Sequence, residues 1–139
     1  METTTTPAPE KAAEREFYVI SVKHTQRSCR YITVWGPDNR GYRQRLQKAG
    51  RYAESTIRAH LDHYYNTGHS SIAVPCDVVD GLASDGDPRD FVGADPGPAV
   101  PRVLLNIRAV WHALLLNVIE PPPYKAEPQF PGARRRKGA

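Results

Sequence analysis

Cysteine is scarce in this chain of 139 residues: there are two, Cys29 and Cys76, alongside one methionine, two tryptophans and three phenylalanines. Two cysteines could form one disulfide, but without an export signal the stronger reading is reduced thiols packed as small hydrophobes. Long apolar runs are missing too. The first fifteen residues, METTTTPAPEKAAER, hold nothing like the hydrophobic region of a secretory signal. The longest apolar stretch, Val110 to Ile119, is broken by His112 and Asn117 and falls far short of the roughly 20 residues that span a bilayer. A cytoplasmic protein with no membrane association is the expectation. No glycine-rich loop precedes a helix, since Gly36 and Gly41 merely frame a turn around Asp38, so nucleotide hydrolysis has no support and no cofactor is expected.

Proline, by contrast, is abundant: of 13, all but Pro37 and Pro75 gather near the two ends and between 88 and 101. Such clustering marks tails and a loop, leaving the middle of the chain for a core. The expected organisation is a disordered tail over 1–15, a single α+β domain over 16–120 with a mobile loop at 83–101, and a disordered, Pro-rich and basic tail over 121–139. Within the domain, the fold class expected is a small, mostly antiparallel sheet of three to four strands packed against two helices.

The element pattern supports that class. Phe17 to Val22 is aromatic and β-branched on both sides of its alternation, the mark of a central strand buried on both faces. Cys29 to Trp35 alternates as a second strand, Pro37 to Gly41 supplies a turn, and Tyr42 to Leu46 returns as an edge strand with Arg43 and Arg45 pointing away from the packed face. From Ala53 the period becomes helical through Ile57, Leu61 and Tyr64, ending at Asn66 to Gly68. Ser71 to Val74 suits a fourth strand, and Pro75 can open a short helix with Val78, Val79 and Leu82. Asn106 is a candidate N-cap for a helix whose stripe is Ile107, Val110, Trp111, Leu114, Leu115 and Val118.

Charge is segregated. Residues 27–58 hold eight basic side chains, Arg27, Arg30, Arg40, Arg43, Arg45, Lys48, Arg51 and Arg58, against Asp38 and Glu54. Interleaved with Trp35 and Tyr42, they offer phosphate contacts and stacking surfaces together, which suits nucleic acid. Arg30, Arg43, Arg45, Arg51, Tyr42 and Trp35 are the candidate contacts; the competing reading is a solubilising face.

Other constellations are weaker. His60 and His63 lie three apart on the first helix, with Asp62, His69 and Cys76 as further imaginable ligands, but the paired-cluster spacing of a zinc site is missing, and no metal is expected. Asp62-His63 with Asn66 and His69 faintly resembles a ββα-metal nuclease motif, yet the two histidines stand too close for a hairpin to separate them. A catalytic alternative gathers His24, His60, His63 and Cys76 into one hydrolase or transferase pocket, with Cys76 activated at a helix N-terminus. Exposed aromatics forming a homodimer interface are a third possibility.

The words His24-Thr25-Gln26-Arg27, Tyr31-Ile32-Thr33, Trp35, Pro37-Asp38, Gly41-Tyr42, Ala49-Gly50-Arg51-Tyr52, His60-Leu61, Tyr65-Asn66, Val74-Pro75-Cys76 and Gly132-Ala133-Arg134-Arg135 resemble small uncharacterised proteins encoded in bacteriophages and bacterial prophages. That resemblance covers 17–80 and the C-terminal tail and brings no activity or site residues with it. It implies a phage accessory protein, a class that includes host-takeover and anti-defence factors. The expected function is therefore a binding module for nucleic acid or for a host protein complex that carries it.

Overall fold

The computed structural model describes residues 14–93 and 100–134. The expectations for residues 1–13, 94–99 and 135–139 lie outside them.

Strand β1 (Glu16–Ser21) is the centre of the molecule, and Phe17 through Val22 are all buried. Strand β5 (Ser71–Pro75) pairs with it antiparallel from Phe17↔Pro75 to Ser21↔Ser71. Two short strands also pair with it: β2 (Val34–Trp35) at Ile20↔Val34, and β4 (Tyr52–Ala53) at Glu16↔Ala53 and Phe17↔Tyr52. Strand β3 (Tyr42–Arg43) adds to β2, completing a five-stranded antiparallel sheet. With helices α1 (Glu54–Ala59), α2 (Cys76–Leu82) and α3 (Arg108–Leu116) packed around it, the architecture is α+β, as the sequence pattern implies.

Because β1 alternates apolar side chains to both faces, it divides the core in two. On one side Tyr18, Ile20 and Val22 join Ile72, Val74, Leu104, Trp111 and Leu114 in the larger cluster. On the other, Phe17 and Val19 meet Tyr52, Ile57, Tyr65 and Ala73. Trp111 can be buried because its Nε1–H donates to Asn106 Oδ1 at 2.7 Å. Asn106 therefore does not cap α3 as its position suggested; Ile107 occupies that place with no side-chain cap. The Asn106 amide instead reaches back to the carbonyls of Gln26 and Cys29, tying α3 to the turn after β1.

The second strand is real as an alternation but changes partner midway. Thr33 to Trp35 follow β1, with the Ser21 amide donating to the Thr33 carbonyl, whereas Tyr31 bridges Leu105 and the Ile32 amide donates to the Leu104 carbonyl. The third strand is shorter than expected, since a 3₁₀ turn at Leu46–Lys48 carries Leu46 into the core. The first helix stops at Ala59, and a π-helical turn over Leu61–Tyr65 follows. That wider winding shifts the inward position by one residue, so Tyr65 is buried and Tyr64 exposed.

The described residues of the stretch 83–101 carry regular structure. Strand β6 (Ser84–Asp85) pairs with β7 (Arg102–Val103), and a 3₁₀ turn at Pro88–Phe91 is capped by Asp87, whose carboxylate accepts from the Arg89 amide. The C-terminal stretch 121–134 also packs. Gln129, Phe130 and Ala133 are buried, and the Tyr124 amide donates to the Thr67 carbonyl. Gly68, at φ +96°, passes so close to the Tyr124 carbonyl that a Cβ there would collide with backbone.

Candidate anion-binding cleft

The turn after β1 is built from hydroxyls. Thr25 Oγ1 donates to the Ser21 carbonyl at 2.8 Å and accepts from the Thr33 amide at 2.9 Å. Ser21 Oγ accepts from the His24 amide at 3.0 Å and lies 3.2 Å from His24 Nδ1. Ser21 is only 1% exposed, so this Ser–His contact shapes the turn and cannot present a nucleophile. The His24 ring stacks on Tyr42 of β3, with centroids 4.1 Å apart and the planes inclined by 29°.

That stack forms one wall of a cleft of about 760 Å³, within the range of ligand sites. Its described lining is His24, Thr33, Tyr42, Arg43, Gln44, Arg45, Lys48 and Phe91. Three permanent cations and an imidazole thus converge from β3, from the 3₁₀ turn that follows it and from the β1 turn. Facing them stands Phe91, whose position is set from behind. Phe91 stacks on Tyr31 with nearly parallel rings, the Tyr31 hydroxyl donates to Asp90 and accepts from the Asp87 amide, and Arg30 pairs with Asp90 at 3.0 Å. Arg89, hydrogen-bonded to Asp87, holds that carboxyl down at about 2, so the anchor keeps its charge throughout the physiological range. Arg45 lies over the Phe91 ring at 5.1 Å.

The candidate contacts read from the sequence divide accordingly. Tyr42, Arg43 and Arg45 meet in the cleft. Arg45 is 9% exposed, not turned to water, because the loop bearing Phe91 covers it. Arg30 and Arg51 belong to internal ion pairs. Arg51 bridges Glu16 at 3.1 Å and Asp80 at 3.3 Å while lying over the Tyr18 ring. Trp35 packs elsewhere, edge-on to Tyr64 and tilted against Tyr65. Sequence reasoning missed Lys48 as a contact and Phe91 altogether. The available signal was that Phe91 is the only aromatic residue between 83 and 101.

The residues of the catalytic alternative are dispersed. His24 lines the cationic cleft, and Cys76 lies within the larger core cluster, 2% exposed. Burial pushes its thiol up to about 12, the opposite of an activated nucleophile. His60 and His63 do meet, Nδ1 to Nε2 at 3.2 Å, beside a separate hollow with Tyr64 and Tyr65. Their imagined co-ligand His69 packs against Tyr124. Among the described residues, no three His, Cys, Asp or Glu side chains gather to hold a metal, and no helix is long and apolar enough to cross a membrane.

No family model matches the chain, and no curated protein or solved structure matches it significantly.

Proposed function

We propose that this protein is a non-enzymatic binding module of the phage accessory kind, taking single-stranded nucleic acid, free or within a host complex, into the cationic cleft. The observation that carries this reading is the convergence of Arg43 and Lys48 on a cleft walled by the His24–Tyr42 stack and Phe91, with Arg45 buried over the Phe91 ring. Cations supply a sequence-independent grip on phosphates, and aromatic faces take unpaired bases. A duplex hides its base faces, so the aromatic walls favour a single strand.

Electrophoretic mobility shifts with single- and double-stranded oligonucleotides over a salt series test the reading. The expected result is a preference for the single strand, with affinity falling steeply as salt rises. Absence of a shift at low salt, or an affinity indifferent to salt, would overturn it.

A further inference from the structure

A second cavity lies between α3 and the C-terminal segment. It holds about 260 Å³ and shares no described lining residue with the cationic cleft. Its floor and walls are apolar: Trp111 and Leu115 from α3, and Ala126, Phe130 and Ala133 from the segment packed over it. Its rim is charged, with Arg108, Lys125 and Arg134 against the single carboxylate Glu127 in the described lining, and His112 beside them.

The cavity is held open by contacts on the segment itself. Arg108 lies over the Phe130 ring at 5.1 Å and donates to the Gly132 carbonyl at 3.3 Å, which fixes a guanidinium at the mouth. Gln129, nearly buried, donates to the Arg134 carbonyl at 3.2 Å and accepts from Arg27, closing the loop that carries Phe130 and Ala133. The Ala133 amide returns to the Phe130 carbonyl. Such a site needs little ordering when it fills, which favours binding.

We infer that this cavity is a binding site for a compact aromatic carboxylate, its ring over Leu115 and Ala126 beside the buried Trp111 and its acid group at the rim between Arg108, Lys125 and Arg134. Volume and charge each narrow the choice. The space lies just below the roughly 300 Å³ at which drug-sized pockets begin, so it suits a single-ring body. The cationic majority at the mouth favours an anion over an amine of the same shape, and a guanidinium matches a carboxylate in bidentate fashion.

The test uses the full ¹⁵N-labelled chain titrated with 3-phenylpropanoate, and in parallel with 3-phenylpropan-1-amine. Two tryptophans give two indole N–H resonances, and Trp111 is the one in the cavity. The expected result is a saturable shift of the Trp111 resonance with the acid, none with the amine, and a stationary Trp35 resonance. Arg108→Gln is expected to weaken the acid by about tenfold, the loss of one charge-assisted hydrogen bond. Ala126→Phe is expected to fill the space and abolish the shift, with an unmoved Trp35 resonance reporting the intact fold. The amine binding as tightly as the acid, equal movement of both indoles, or no saturation by the acid would each overturn the proposal, as would unchanged affinity in Arg108→Gln.

Discussion

Arg43 and Arg51 stand eight positions apart in the same basic stretch, and the fold gives them opposite surroundings. Arg51 is paired within its own molecule, between the carboxylates of Glu16 and Asp80 and over the Tyr18 ring. Arg43 donates to a neutral group, the Tyr42 carbonyl, and lines a cleft with Arg45 and Lys48. Arg30, paired with Asp90, and Arg58, paired with Glu54 and Glu120, belong with Arg51. A run of arginines in sequence is thus two populations in space. One staples strands and loops together, and the other concentrates positive potential at a concave surface.

The largest expected effect that separates the two populations comes from reversing charge in the cleft. Arg43→Glu with Lys48→Glu should reduce oligonucleotide affinity by at least about 100-fold, because lost attraction and added repulsion combine near the phosphates. Fluorescence anisotropy measures this, and an unchanged melting temperature confirms that the fold has survived. Removing the stacking wall comes next. Tyr42→Ala should cost about 1–3 kcal/mol of single-strand binding, and Tyr42→Phe almost nothing, since a base needs the ring and not the hydroxyl.

The opposite outcome belongs to the internal pairs. Arg51→Gln should leave oligonucleotide binding within error and lower stability by no more than about 1 kcal/mol in urea denaturation, because the guanidinium and both its carboxylate partners are partly solvated. A binding defect in Arg51→Gln equal to that in the cleft would erase the distinction between the two populations.

The smallest expected effect concerns pH and tests Cys76 as a core residue. Its folded thiol is pushed up to about 12 by burial, against an ordinary value near 8.5 in the unfolded chain. A group raised in the folded state contributes its full stability below the unfolded value and loses it as pH rises toward the folded one. Melting temperature should therefore fall gradually from about pH 8.5 upward, and less so in Cys76→Ala. Under native conditions iodoacetamide should label the half-buried Cys29 first and leave Cys76 untouched.

How much of this was legible in the sequence depends on whether the deciding contact was local. The buried character of β1 could be read because every residue from Phe17 to Ile20 is apolar, whatever its neighbours. The short helix after Pro75 could be read for the same reason. The switch of Tyr31 and Ile32 to Leu104 and Leu105 could not, because alternation states that a residue is in an extended segment and not which segment pairs with it. The winding of Leu61–Tyr65 was equally hidden, since Tyr64 and Tyr65 are adjacent and identical and a one-residue shift exchanges their roles.

The candidate site followed the same rule. Tyr42, Arg43 and Arg45 were visible as a strand with cations and an aromatic residue. Arg30 and Arg51 looked identical to them because Asp90 lies sixty residues from Arg30 and Asp80 twenty-nine from Arg51. Phe91 was hidden by its Asp-, Gly- and Pro-rich surroundings, although a phenylalanine in such a stretch usually has something to pack on. Phe130 carries the same lesson in the C-terminal segment, where it anchors the cover over α3.

The most direct test of the cleft as a phosphate-binding surface is the salt dependence of single-strand affinity for the native chain, compared with Lys48→Gln and Arg51→Gln. On a plot of log affinity against log salt, the expected result is a negative slope that becomes shallower by about one in Lys48→Gln and is unchanged in Arg51→Gln. Equal slopes for all three proteins, or a change in Arg51→Gln alone, would contradict it.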